Sequence, residues 1–176
     1  MIGGTHAPDA IPRFHYREAL MTDTLTLTRL LNAPPEAIWR CWAQADLARQ
    51  WFAPKPVITT LFDIDLRAGG RFAFEMQIPD HGTNSGEGCV LLAVPHQRLI
   101  WTNCLRAGFI PQVIGTGPFD FGMTAEIELT PEGTGTRYTA QVLHADPQAA
   151  QKHIEMGFYG GWGTTIDQLE ALAGTL

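Results

Sequence analysis

The chain has 176 residues, 45% of them hydrophobic and 17% charged, with a net charge of −6. That length allows one domain with a sizeable core, and that balance excludes a disordered polar chain. Its 12 Lys and Arg are scattered, which excludes sequence-independent nucleic-acid binding, and no uninterrupted apolar run approaches the ~20 residues of a membrane span.

Residues 1–21 read as an irregular leader without the apolar core of a secretory signal, Met21 offering an alternative start, and 22–176 read as a single domain. From Thr24 to Leu31, Leu25, Leu27 and Leu31 alternate with Thr24, Thr26 and Thr28, the pattern of a half-buried strand. Asn32-Ala33-Pro34-Pro35-Glu36 then opens a helix whose apolar side is Ile38, Trp39, Cys41 and Trp42. Asp46 is the expected N-cap of a second short helix through Gln50.

A run of strands follows. Ile58–Leu66 and Arg71–Ile78 flank Gly69-Gly70, a hairpin signal because paired glycines accept positive φ. Glu87–Val94 and Arg98–Leu105 are separated by Pro95-His96-Gln97, and Phe121–Leu129 and Gly135–His144 by Thr130–Thr134. Arg106–Asp120 holds several glycines and prolines around Phe109, Ile110, Val113 and Ile114, and reads either as a lid or as a variable surface loop.

From Pro147 to Ala173, Ile154, Phe158, Trp162, Ile166, Leu169 and Leu172 form one apolar helix stripe. Asp146 and Pro147 supply its N-terminus, and Gly174 a C′ residue. Gly157, Gly160, Gly161 and Gly163 interrupt it at a cost of about 1 kcal/mol each relative to alanine. They are explained either by close helix–sheet packing or by room for a ligand. The element order implies an α+β domain: seven antiparallel strands with the helices on one face.

Strand alternation places Phe72, Phe74 and Met76, then Trp101 with Asn103, then Met123, then Tyr138 and His144 toward the final helix. With Trp51, Phe158, Tyr159 and Trp162 they form an aromatic interior holding few polar groups, namely Asn103, Tyr138, His144 and His153. Such an interior suits a small-molecule pocket, or else a filled core. Catalytic signatures are missing: there is no GxGxxG after a strand, no GxxxxGK[ST], no GxSxG and no HExxH. No cofactor and no metal is therefore expected. Cys41, Cys89 and Cys104 are isolated, as suits a reducing cytoplasm, and read as small buried hydrophobes.

Several ordered motifs together resemble one family. They are Leu31–Trp39, Trp51-Phe52, Asp65–Phe72, Arg98–Thr102, and Gly161-Trp162-Gly163 with Leu169 and Leu172. Over Thr24 to Ala173 the chain resembles the Hsp90 ATPase activator-like branch of the START/Bet v 1 superfamily. The resemblance implies a helix-grip fold, a seven-stranded antiparallel sheet curled around a long C-terminal helix, with two short helices after the first strand. It also implies a cavity for lipids, polyketides, hormones or other apolar molecules, used in a few branches for cyclisation, dehydration or hydrolysis.

The leading expectation is a cofactor-free cytoplasmic protein that binds a small hydrophobic molecule. Trp51, Phe74, Met76, Trp101, Met123, Tyr138, Phe158, Tyr159 and Trp162 would line its cavity, and Asn103 and His144 would orient a polar group. One alternative is a cyclase or dehydratase in which His144 or Tyr138 moves a proton. Another is a co-chaperone-like interaction module with a chaperone as partner. A homodimer is left open.

Overall fold

Thr24–Leu31 forms β1, in which Leu25, Leu27 and Leu31 are buried while the threonines between them face outward. In the computed structural model, residues 23–117 and 120–176 are described, and the expected leader over 1–21 lies outside them. Two short helices follow, α1 (Pro35–Ala43) and α2 (Ala45–Trp51). Pro35 occupies the first turn of α1, where its missing N–H costs nothing, and Ile38, Trp39, Cys41 and Trp42 turn inward. The N-cap of α2 is Gln44; Asp46 is the second residue of the helix, the acidic residue of its first turn.

The remaining strands are β2 (Ile58–Ile64), β3 (Arg71–Ile78), β4 (Gly82–Val94), β5 (Arg98–Thr102), β8 (Met123–Glu132) and β9 (Gly135–His144). They join β1 in one seven-stranded antiparallel sheet of order β1-β9-β8-β5-β4-β3-β2. At the β2–β3 turn Gly69 takes a φ of +79°, and a side chain on Gly70 would collide with the Asp65 carbonyl. β4 starts five residues earlier than its composition predicts, at Gly82 rather than Glu87. The turn-like Gly82–Gly86 stretch is drawn into register by the apolar β3, with Gly86 opposite Phe74 and Gly82 opposite Ile78. A side chain on Gly86 would run into the Phe74 ring, so the glycine makes room for that aromatic.

Arg106–Asp120, expected as a lid or a variable surface loop, overlaps a small ribbon of β6 (Leu105–Arg106) and β7 (Ile110–Pro111). Gly108 N donates to Gly69 O at 2.8 Å, and Lys152 Nζ donates to the carbonyls of Gly117 and Asp120 at 2.6 and 2.8 Å. The segment is therefore fastened to the β2–β3 turn at one end and to a helix at the other.

The apolar stripe over 147–173 is two helices rather than one. α3 runs Pro147–Glu155, capped by the Asp146 carboxylate, which accepts from Ala149 N at 2.8 Å. Gly157 then takes a φ of +90°, which breaks the ladder, and α4 (Phe158–Ala173) starts after it. Gly174 ends α4 in a right-handed conformation (φ −66°), so the expected left-handed glycine cap is absent there. Phe158, Ile166, Leu169 and Ala173 of α4 bury against Tyr138, Ala140, Val142 and the indoles of Trp42 and Trp51 in one continuous core. This is the helix-grip arrangement, with the sheet curled around the final helix.

Candidate functional site

A cavity of about 270 Å³ remains between the sheet and α4. Its floor comes from alternate inward positions of four strands: Phe74 and Met76 of β3, Trp101 of β5, Met123 of β8 and Tyr138 of β9. Its roof is α4, through Phe158, Gly161, Trp162, Thr165 and Ile166. Trp42, Trp51, Phe52 and Pro54 close one end, and His153, Met156 and Gly157 border another part of the wall. Among the described residues, no Asp, Glu, Lys or Arg lines it.

The walls are held by ring contacts. Trp101 stacks on Phe72 with centroids 4.1 Å apart and planes 13° apart, and Trp42 meets Trp51 edge-on at 4.8 Å. The Trp51 indole N–H donates to Cys41 O at 3.0 Å, which fixes that ring. The Trp101 indole N–H is buried without a partner among the described residues, and the Trp42 N–H lies beside the Tyr138 hydroxyl without completing a hydrogen bond. Burial raises the Tyr138 phenol well above its ordinary pKa, so this hydroxyl stays protonated.

The glycines of the last helices answer the question their sequence poses. A side chain added at Gly160 or Gly161 would meet nothing within 4 Å, so close packing does not require either glycine. Gly161 opens directly onto the cavity; Gly160 faces solvent.

The structure brings Trp51, Phe74, Met76, Trp101, Met123, Tyr138, Phe158 and Trp162 together around this space. Asn103, His144 and Tyr159 stand outside it. Tyr159 is 48% exposed on the outer side of α4. Both ends of the Asn103 amide are used, on the start of β8 and the residues before it: Oδ1 accepts from Met123 N and Nδ2 donates to Phe121 O, each at 2.8 Å. It borders a neighbouring pocket of about 310 Å³ that shares Phe74, Asn84, Trp101, Met123 and Met156 with the first.

His144 lies behind His153. Its Nδ1 is 3.1 Å from the Asp23 carbonyl, and its Nε2 is 3.0 Å from His153 Nδ1. A carbonyl can only accept, so His144 carries its proton on Nδ1 and offers a lone pair at Nε2. His153 must therefore donate from Nδ1, which leaves its Nε2 as a bare acceptor. That nitrogen has no partner among the described residues, and rings of Phe121, Phe158 and Trp162 surround the imidazole, with centroids at 4.6, 4.9 and 6.3 Å. Burial, reinforced by His144, pushes the His153 pKa down to about 4. Burial also lowers that of His144, opposed by the Asp23 carbonyl and by the charges of Asp23 and Asp146.

Polar residues that residue alternation did not single out as ligand contacts are thus His153, Asn84 and Thr165. One signal for His153 was present: it sits two helical turns after the Asp146 cap, which brings it back beside the end of β9. Asn84 reaches the wall through its register opposite Met76, a pairing that no local pattern encodes.

Among the described residues, no group of three or more His, Cys, Asp or Glu could hold a metal ion, and no helix is long and apolar enough to cross a membrane. Cys41 and Cys89 are buried and Cys104 is exposed, contrary to the expectation that all three are core residues. Burial pushes the Cys41 thiol up to about 11, which removes it as a nucleophile at neutral pH.

Comparison with known proteins adds the following. The family model described as Activator of Hsp90 ATPase homolog 1-like protein matches residues 32–174. A crystal structure of a Nitrosomonas europaea protein is 41% identical, with a TM-score of 0.81, covering 88% of this chain and 96% of that one. A Mycobacterium smegmatis protein is 27% identical, with a TM-score of 0.71 over 87% of this chain and 91% of that one. A Rhodobacter sphaeroides protein shares the fold at 20% identity, with a TM-score of 0.74 over 88% of this chain and 95% of that one. No curated protein matches the chain.

Proposed function

The chain belongs to the Activator of Hsp90 ATPase homolog 1-like protein family, and we propose that it uses this scaffold to hold a small apolar molecule between the sheet and α4. The observation that carries the reading is the unfilled, aromatic-walled space of about 270 Å³. Leaving these apolar walls unpacked forgoes the contacts that a filled core would make. At Gly161 the chain forgoes a side chain that would fit without collision and would narrow the void. The volume falls just below the range for drug-sized ligand sites, roughly 300–1,000 Å³, and above the ~150 Å³ that accepts benzene. A mono- or bicyclic aromatic is the matching size.

Proton-transfer catalysis in the same cavity has less support. Its imidazole wall group is a weak base, with a pKa near 4. The chain of hydrogen bonds behind it ends on a main-chain carbonyl, which cannot accept a proton as a catalytic carboxylate would.

The test is thermal unfolding with and without naphthalene at its solubility limit. Ligation stabilises by RT ln(1 + [L]/Kd), so the melting temperature should rise in the native protein and stay put in Gly161→Leu, whose added side chain occupies the site. Unchanged melting of the native protein with naphthalene, phenol and indole alike would sink the reading.

A further inference from the structure

His153, which lines the cavity, has in its Nε2 an acceptor with no proton to give, and no Asp, Glu, Lys or Arg lines the walls among the described residues. We infer that the site selects neutral aromatic compounds bearing a hydroxyl, with the ligand O–H donating to His153 Nε2. This inference rests on the proposed cavity-binding reading and narrows it to a ligand class.

Three observations converge. First, the hydrogen-bond chain has a direction. Asp23 O accepts from His144 Nδ1–H, and His144 Nε2 accepts from His153 Nδ1–H. Its open end is therefore a lone pair, and a phenolic O–H extends the chain by one more bond of the same polarity. Second, His153 is 7% exposed, and at neutral pH it stays uncharged, because burial holds its pKa near 4. A carboxylate facing it would meet a lone pair rather than a cation, and would be buried without a counter-charge at a cost of several kcal/mol. Third, the rings of Phe158 and Trp162 that flank the imidazole also form the cavity roof. An aromatic guest that packs against them lies beside the His153 imidazole, which borders the same cavity.

Four probes of one shape test this: naphthalene, 2-fluoronaphthalene, 2-naphthol and 2-naphthoate, titrated by tryptophan fluorescence at pH 7. The native protein should bind 2-naphthol more tightly than 2-fluoronaphthalene and should show no measurable affinity for 2-naphthoate. In His153→Phe the ratio of 2-naphthol to 2-fluoronaphthalene affinity should fall by about tenfold, the loss of one buried hydrogen bond. Independently of any variant, the ¹⁵N resonance of His153 Nε2 should move on adding 2-naphthol and hold still with 2-fluoronaphthalene.

Binding of naphthalene with no hydroxyl preference, or a preference that His153→Phe leaves intact, overturns the inference while leaving the cavity reading standing. Tight binding of 2-naphthoate also overturns it. No binding of any of the four overturns both.

Discussion

Gln168 of α4 holds the end of α2 through Trp51: its Nε2 donates to the Trp51 carbonyl at 2.9 Å and to the Ala53 carbonyl at 2.8 Å. Its Oε1 accepts from Lys55 N at 3.1 Å. One amide thus satisfies three main-chain groups of the segment that closes the cavity. Gln168→Ala should cost about 2 kcal/mol in chemical denaturation, because partly buried carbonyls lose their donors. A loss below about 0.5 kcal/mol would mean that water replaces the amide without penalty.

Stability should fall as the medium is acidified. His153 titrates near 4 in the folded chain against 6.5 ordinarily. The unfolded chain therefore binds more protons between those values, and the stability gained by keeping this ring neutral is lost as pH falls from about 6.5 to 4. The full effect is about 3 kcal/mol, and His144, shifted in the same direction, adds to it. Around this pair stand the carboxylates of Asp23 and Asp146, which oppose the shift of His144, and Lys152, which is engaged by the Gly117 and Asp120 carbonyls. Urea unfolding at pH 7 and pH 4.5 should show the drop, and His153→Phe should flatten it. An equally steep drop in that variant would assign the acid sensitivity to other groups.

Period-two alternation found the buried faces of the sheet because Ala125, Ile127, Tyr138 and Val142 face the core wherever strands pair, and no tertiary detail is needed to say so. Alternation also placed Asn103 and His144 on the inward side, yet neither reaches the cavity. Whether a polar side chain meets a void or a neighbouring backbone depends on the chain beside it, as the two bonds from Asn103 to the Phe121 and Met123 main chain show. The break at Gly157 was hidden for a related reason: an apolar stripe continues in register through one left-handed residue, so periodicity does not report it.

Two glycines one turn apart should respond oppositely to alanine. Gly160 lies in α4 with open space around it, and Gly160→Ala should raise stability by about 0.5–1 kcal/mol. Gly157 needs a φ of +90°, and Gly157→Ala should lower stability by about 1–2 kcal/mol. Thermal melts of the two variants check both signs.

Asn103→Ala separates a bracing role from a ligand contact. Removing its bonds to Phe121 and Met123 should destabilise the chain by about 1–3 kcal/mol, yet leave the affinity order among naphthalene probes unchanged. A reordering of those affinities would put the Asn103 amide in contact with the guest.

Because no ionised side chain faces the cavity among the described residues, occupancy responds to the acidity of the guest itself. A weak acid partitions into such an interior only in its protonated form. Alkali strong enough to deprotonate a phenol, above roughly pH 10, should therefore expel it, while a hydrocarbon of equal size stays.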